Sequence, residues 1–186
     1  MSPLSLNNHT EKDLISLCIE GDNYSCKQLF DLYSGKMMAI CYRFARDRNE
    51  AEDILQEGFV RVFNKLSLYS GEGALEAWMR RVIINTAIKY KKRHITKHSF
   101  TELDNVHPFD TTPSVIDEIS KNEIINLIQE LPDGYRIVFS LYVIEGYSHK
   151  EIAERLNIGE STSRSQLVKA RTLLRNKLNN LTKLAG

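Results

Sequence analysis

The segment over residues 147–181 constrains the fold more than any other, because it predicts two helices joined by a tight turn. Ser148 stands three residues before Glu151, which is the spacing of a capping box at the start of a helix. Asn157-Ile158-Gly159 supplies the turn, and leucines at helical spacing then continue to Leu181. The second helix also has basic and small polar residues on its outer side. A plain helical hairpin is the alternative, but the capping, the turn and the basic outer face together favour a helix-turn-helix that reads a DNA duplex.

The rest of the chain is also patterned as helices, and no stretch of it predicts a strand. Apolar residues recur every three or four positions, which is the period of one buried stripe on a helix. Asn49 and Glu52 form a further capping box at the start of one such helix. We therefore expect an all-α fold, with further helices over residues 10–19, 23–46, 49–66, 75–94, 114–131 and 135–144.

Residues 96–113 form the predicted boundary between two domains. Helical periodicity stops there, and Pro108 and Pro113 punctuate a stretch rich in Thr, Asp and Asn. The predicted organisation is a helical domain over residues 1–95, a flexible acidic linker over 96–113 and a helix-turn-helix domain over 114–186.

The charges of the chain are segregated along its length. The formal net charge is only +1, so the overall charge does not identify a partner. Lys and Arg dominate residues 78–97 and 160–183, whereas acidic residues dominate residues 99–120. Each basic block could be no more than a solvated helix face. Two of them separated by an acidic stretch nevertheless indicate two surfaces that face nucleic acid.

The basic helix predicted over residues 75–94 has the composition of a surface for single-stranded nucleic acid. Such surfaces combine cations that contact phosphates with aromatic side chains, and Tyr69 and Trp78 are close in sequence. Trp78 falls on the apolar stripe, however, so a place in the core is the simpler interpretation for it. The polar residues at three- and four-residue steps, which share one side of the helix, are Arg81, Asn85, Lys89 and Lys92.

The cysteines and the apolar runs indicate a cytosolic protein. Cys18, Cys26 and Cys41 are odd in number and include no closely spaced pair, and no secretory leader precedes them. We therefore expect reduced thiols that pack as small apolar groups. No apolar run approaches the roughly 18 residues that a membrane span needs, so we expect no insertion into a membrane.

No pattern of catalytic or metal-binding residues stands out. His94 and His98 have the spacing of two zinc ligands, but Ile95 stands where a zinc protease has its glutamate. The chain also lacks a glycine-rich phosphate-binding loop and a nucleophile elbow. We therefore expect no enzyme activity, no metal and no cofactor.

Three segments together resemble bacterial RNA polymerase sigma factors of the extracytoplasmic function (ECF) type. Residues 51–63 (AEDILQEGFVRVF) resemble the helix that binds core RNA polymerase in that family. Residues 77–90 (AWMRRVIINTAIKY) resemble the helix that recognises the −10 promoter element, and residues 131–132 with 147–175 resemble the −35-recognition domain. The resemblance spans about residues 22–181. It implies an all-helical, two-domain protein that binds core polymerase and directs it to particular promoters.

The resemblance also implies roles for individual residues. Asn85 matches the position that lines the pocket for a base flipped out of the −10 element, with the loop over residues 69–75 as its rim. The residues expected to bind polymerase are Asp53, Gln56, Glu57, Phe59 and Arg61. Those expected at the −10 element are Tyr69, Arg81, Asn85, Lys89 and Lys92. Those expected at the −35 duplex are Ser161, Thr162, Arg164, Ser165 and Lys169.

The implied partners are core RNA polymerase, promoter DNA and an anti-sigma factor, in the cytoplasm. Two residues depart from the family pattern, because Ser163 replaces a frequent Val and Gln166 replaces a frequent basic residue, so the −35 sequence stays open. The alternative is a stand-alone helix-turn-helix regulator that binds operators without polymerase. The acidic helix over residues 49–66 distinguishes the two, because such a regulator has no use for a docking helix, although its acidic face could also be merely solvated.

Overall fold

The computed structural model describes residues 10–94 and 121–184, and every regular element within those two stretches is helical. The all-α prediction is therefore confirmed. A 3-10 turn over Leu66–Leu68 follows α3, and a π-helical turn over Ser140–Ile144 continues α6. The helices are α1 (Glu11–Ile19), α2 (Asn23–Tyr42), α3 (Arg48–Lys65), α4 (Leu75–His94), α5 (Lys121–Gln129), α6 (Asp133–Phe139), α7 (His149–Leu156) and α8 (Glu160–Leu184).

The N-cap of helix α3 lies two residues earlier than the sequence pattern predicts. Asp47 is the N-cap, and its carboxylate accepts a hydrogen bond from the Glu50 backbone amide at 2.8 Å. The Glu50 carboxylate in turn accepts from the Arg46 backbone amide at 2.6 Å. The predicted capping box of Asn49 and Glu52 is therefore wrong. An aspartate at the N-cap also places negative charge at the positive end of the helix, which stabilises it.

The core of the amino-terminal half lies between α2, α3 and α4. Phe44, Ile54 and Ile83 have no exposed surface there. Gly58 allows α3 to approach α4 closely, because a Cβ atom at that position would lie 2.3 Å from Ile83 Cδ1. This contact determines how close the outer faces of α3 and α4 lie to each other.

Helix α1 is joined to α2 by a disulfide bond between Cys18 and Cys26. The Cα atoms of the two residues are 5.0 Å apart, since the turn at Gly21 folds the start of α2 back onto the end of α1. The prediction that all three cysteines are free thiols is therefore wrong for two of them. Cys41 is a free, fully buried cysteine as predicted, and burial raises the pKa of its thiol to about 12.

The carboxyl-terminal half packs directly on the amino-terminal half. Ile137, Val138 and Leu141 have no exposed surface and belong to the same apolar cluster as Phe44 and Ala45. Helices α6 and α8 also contact each other through a smaller cluster. The two predicted domains are thus in contact, while the predicted linker and the start of the helix predicted over residues 114–131 lie outside the described residues. None of the described helices is both long enough and apolar enough to cross a membrane.

Candidate functional site

The outer face of α3 carries the predicted docking residues, and its acids are already paired with basic or hydroxyl groups. Asp53 and Gln56 are exposed, whereas Glu57 and Arg61 are partly buried. The Glu57 carboxylate contacts the Arg93 guanidinium and accepts a hydrogen bond from Arg61 Nη2 at 2.7 Å. The Arg93 and Arg61 hydrogen bonds lower the pKa of Glu57. The face is therefore a mixed surface of acids and arginines.

Tyr90 of α4 connects the same face to the basic helix. Its hydroxyl donates a hydrogen bond to the Asp53 carboxylate at 3.1 Å. Burial, reinforced by that acceptor, raises the pKa of Tyr90. Asp53 is thus held in a defined orientation at the surface.

Phe59 differs from the other four predicted docking residues, because only 3% of it is exposed. Its ring lies 4.6 Å from the ring of Phe30, centroid to centroid, in an edge-on arrangement. The structure therefore places Phe59 beneath the face as part of the core. Val60, the neighbouring residue, is 59% exposed instead and was missed by the sequence prediction.

A pocket of about 330 Å³ lies beside Asn85. Three of the predicted −10 residues share it, because Asn85, Lys89 and Lys92 lie on one side of α4 at helical spacing. Lys65 and Arg61 line it from α3. A polar amide surrounded by cations suits a ligand that combines a base edge with phosphate.

The loop over residues 69–75, predicted as the rim of the base-binding pocket, lies apart from this pocket. Residues 69–75 are not among those that line it. Tyr69 turns away instead: its hydroxyl donates to the Gly73 carbonyl at 2.6 Å, and its ring lies 5.7 Å from the Trp78 ring. Arg81 is exposed on α4 but also lies outside the pocket. Tyr69 and Arg81 are therefore separate from the other three predicted −10 residues.

The helix-turn-helix has the predicted construction. Ser148 and Glu151 form the capping box at the start of α7, and the Ser148 side chain accepts from the Glu151 amide at 3.3 Å. Asn157 adopts a left-handed conformation, with φ of 57°, and ends α7. Asparagine tolerates this region better than most residues, so the turn can be tight before α8 begins at Glu160.

The first turns of α8 present the predicted −35 residues unequally. Ser161, Arg164 and Ser165 are exposed, whereas Thr162 and Lys169 are partly buried. Arg164 contacts Glu160, its neighbour one helical turn earlier. An exposed arginine and short hydroxyl side chains at a helix start are suited to contacts with bases and phosphates.

The two residues that depart from the family pattern lie on the inner side of α8. Ser163 has no exposed surface and Gln166 is 4% exposed. The Ser163 hydroxyl lies 2.9 Å from His149 Nδ1. Burial, together with the nearby Arg164 charge, lowers the pKa of His149. Both positions are therefore buried against the rest of the protein and are not on the exposed side of α8.

Sequence reasoning missed a set of charged residues that lie between the two halves. The available signal was the position of Lys91 and Arg136 on otherwise apolar helix faces. Burial is the largest effect on both, and it lowers the pKa of Lys91 to about 8 and that of Arg136 to about 10. The set consists of Arg43, Glu50, Arg80, Lys91, Asp133, Arg136, Glu145 and Arg155.

The described residues form no cluster of His, Cys, Asp or Glu that could hold a metal ion. The pair considered from the sequence, His94 and His98, cannot be assessed, because neither side chain is among the described parts of the structure.

Two family profiles match the chain. Sigma-70 region 2 matches residues 29–95, which include α3 and α4. Sigma-70, region 4 matches residues 121–174, which include the helix-turn-helix.

Proteins with curated functions match over most of the chain. The ECF RNA polymerase sigma factor SigW of Bacillus subtilis is 31% identical over 177 residues, which cover 87% of this chain and 93% of the relative. The RNA polymerase sigma-H factor of Pseudomonas aeruginosa is 28% identical and covers 89% of this chain and 92% of the relative. A solved sigma factor RpoE from Bartonella quintana, in complex with the anti-sigma factor NepR, gives a TM-score of 0.49 at 18% identity, covering 82% of this chain and 96% of that chain. That TM-score is too low to add to the sequence matches.

Proposed function

This chain belongs to the ECF type of bacterial RNA polymerase sigma factors, and from that premise we propose how its surfaces share the work of promoter recognition. It binds core RNA polymerase and directs transcription initiation at particular promoters. The outer face of α3 docks on polymerase. The pocket beside Asn85 captures a base of the −10 element, and the start of α8 reads the −35 duplex.

The observation that carries this proposal is the pocket beside Asn85. It joins a hydrogen-bonding amide to five cations, namely Arg61, Lys65, Lys89, Lys92 and Arg155. Extruding a base from the stack costs a few kcal/mol, which binding must offset. An amide that recognises the base edge and cations that hold the adjoining phosphates provide such an offset.

The face of α3 supports a docking role through its composition. Exposed Val60 sits beside the charged residues Asp53 and Glu57, so an apolar contact is surrounded by polar ones. Stable protein interfaces commonly have this arrangement. Glu57 already binds two arginines of this chain. A basic group of polymerase must therefore replace one of these arginines or bind Glu57 in addition to them.

Docking can be tested by reversing charge on this face. Asp53→Arg combined with Glu57→Arg should abolish comigration with core polymerase in gel filtration, because the reversed charges repel a basic partner. Glu20→Arg combined with Asp31→Arg changes the charge equally at two other exposed acids and should leave comigration intact. Far-UV circular dichroism checks that both variants retain their helices. Equal binding by the two double variants would refute docking through α3.

The assignment of function itself is tested by reconstituted transcription with core polymerase. Start sites mapped with and without the protein should differ. A stand-alone regulator would bind DNA yet create no start site. Identical start sites in both reactions would overturn the proposal.

The remaining proposals follow from the family. The chain acts in the cytoplasm, where its polymerase and promoter partners are, and polymerase supplies the catalytic site. We also propose that an anti-sigma factor restrains it. A bacterial lysate passed over the immobilised protein, with bound partners then challenged by core polymerase, tests for mutually exclusive binding.

A further inference from the structure

Ser163 places a buried hydroxyl in the first turn of α8, the helix proposed to read DNA. It has no exposed surface, whereas Arg164 next to it is exposed. A hydroxyl removed from water destabilises a protein unless a hydrogen-bond partner replaces the water. The structure supplies a partner from another element: the Ser163 Oγ lies 2.9 Å from Nδ1 of His149, the first residue of α7.

The His149 ring is itself held in a defined orientation. It stacks on the ring of Tyr142, with the centroids 4.4 Å apart and the planes inclined by 23°. Tyr142 belongs to the π-helical turn that continues α6. The capping box of Ser148 and Glu151 fixes the backbone where His149 enters α7. A ring that is stacked on one face and fixed at its backbone has few other orientations, so Nδ1 stays directed at α8.

This hydrogen bond controls the rotation of α8 about its own axis. Successive side chains of an α-helix point about 100° apart, so the direction of Ser163 determines that of Arg164. A rotation of roughly 20° moves a side-chain atom at the outer helix radius of about 6 Å by about 2 Å. A shift of that size breaks a bidentate contact with a base, because donor–acceptor distances vary by only about half an ångström.

Apolar packing alone would fix this rotation less sharply. Leu167 and Ala170 are buried on the inner side of α8, as Ser163 is. Hydrophobic contacts are not directional, whereas a hydrogen bond is. Sigma factors of this type frequently have Val at the position of Ser163, and Val packs but cannot hydrogen-bond. In this chain a polar pair therefore takes the place of an apolar contact.

The groups that face His149 make this pair sensitive to protonation. Glu160, Arg164 and Arg171 of α8 act on its charge, and Tyr142 covers one face of its ring. Burial and then Arg164 lower the pKa of His149, Glu160 opposes them, and Arg171 adds to the lowering. The ring is therefore neutral at pH 7 and takes up a proton only below its ordinary pKa of about 6.5. Protonation adds a cation beside Arg164 and makes Nδ1 a donor only.

We propose that His149 is a positioning residue for promoter reading: its ring, stacked on Tyr142, holds Ser163 and so directs Arg164 toward the −35 duplex. The inference rests on the proposed function of α8. His149 acts through Ser163 and the rotation of α8, so it determines how well the correct sequence is distinguished from others. The strength of contact with DNA phosphates in general does not depend on it.

The test compares two promoters that differ only in the −35 element, using the full chain bound to core polymerase. The first is a promoter found by mapping start sites, and the second has its −35 element scrambled. The ratio of the two affinities is the −35 discrimination. Ser163→Val leaves His149 without its partner, and His149→Phe leaves the Ser163 hydroxyl unpaired. Each should lower the discrimination by roughly five- to tenfold, as expected when one bidentate base contact is weakened.

Two further variants distinguish positioning from a general loss of packing. His149→Phe combined with Ser163→Val replaces both polar partners by apolar groups, and it should return the discrimination to within about twofold of wild type. Thr172→Val removes a hydroxyl that bonds the Val168 carbonyl within α8. It should leave the discrimination unchanged. Far-UV circular dichroism checks that every variant retains its helices.

The pH dependence gives a readout that lost stability would not mimic. From about pH 8 to about pH 6 the wild-type discrimination should fall, because protonation of His149 changes its bond to Ser163. Affinity for the scrambled promoter should not fall with it, since added positive charge favours phosphate contacts. In the combined His149→Phe and Ser163→Val protein, the discrimination should stay nearly constant over the same range.

Two results would overturn the positioning role. One is wild-type discrimination in both helical single variants, and the other is a pH dependence equally steep in the combined variant. If a single variant loses its helices, the combined variant and the wild-type pH profile decide, and a flat wild-type profile then overturns the role. Wild-type protein that does not distinguish the two promoters at any pH would instead refute reading by α8, which is the proposed function itself, and this inference with it.

Discussion

At the scale of single residues, the buried charge of Lys91 is the most consequential. Burial lowers its pKa to about 8, partly opposed by the Glu50 carboxylate. Burial also acts to raise the pKa of Glu50, but the hydrogen bonds from Lys91 and Arg46 outweigh it, so that pKa is lowered. Both pKa shifts arise within one buried ion pair, in which each charge is stabilised by the opposite charge of its partner.

Removing one member of this pair should therefore be costly. Lys91→Met keeps the apolar stem but removes the buried cation that Glu50 and Asp133 share. We expect a loss of about 3–5 kcal/mol in the free energy of unfolding, measured by urea denaturation. Lys92→Met at the exposed neighbouring position should change it by less than about 0.5 kcal/mol. Similar midpoints for the two variants would contradict a buried pair.

At the scale of the helices, the approach of α3 to α4 depends on Gly58. A helical glycine suited to comparison is Gly35 on α2, which is exposed and has no atom within 4 Å of a Cβ built on it. The two positions separate the effect of helix propensity from the effect of packing.

Alanine at these positions should act in opposite directions. Gly58→Ala should lower the free energy of unfolding by about 1–3 kcal/mol, because its methyl group would clash with the fully buried Ile83. Gly35→Ala should raise it by about 0.5–1 kcal/mol through helix propensity alone. Thermal unfolding monitored by circular dichroism compares them. A stabilised Gly58→Ala protein would show that Ile83 accommodates the added methyl group without cost and that Gly58 is not required for this packing.

The recognition helix α8 allows a matched test along its own length. Arg164→Ala should weaken binding to −35 duplex DNA by about 1–3 kcal/mol if Arg164 makes a bidentate base contact. Arg175→Ala removes an equally exposed cation farther along α8 and should have a much smaller effect. Footprints at equal protein concentration measure both. A footprint of Arg164→Ala identical to that of wild type would remove Arg164 from the reading surface.

At the scale of the whole molecule, the amide of Asn85 connects the two halves of the protein. It accepts a hydrogen bond from Arg155 of α7 and is also proposed to bind a flipped base. A base can therefore bind this amide only by replacing Arg155.

Asn85→Ala separates duplex binding from base capture. We expect polymerase carrying this variant to form fewer open complexes, measured by permanganate reactivity of the −10 thymines. Its affinity for the closed −35 duplex should change little, since α8 is untouched. Equal losses in both assays would indicate that Asn85 is a structural residue only.

Much of the architecture was predictable from local patterns. The helical period and the Ser148–Glu151 capping box depend on residues within a few positions of one another, and so do the turn at Asn157 and the shared side of Asn85, Lys89 and Lys92. Such patterns can be read from a sequence because a helix places residues three and four positions apart on the same face. The helix-turn-helix and the polar stripe of α4 could be placed on that basis.

What only the tertiary structure decided concerns residues that are distant in the sequence. The disulfide of Cys18 with Cys26 depends on how the start of α2 folds back onto the end of α1. The pairs of Lys91 with Asp133 and of Arg155 with Asn85 join the two halves. Helical periodicity says which side of a helix is apolar, but not which other helix covers that side. The residues proposed to read a promoter were therefore visible in the sequence, whereas the contacts between the two halves were not.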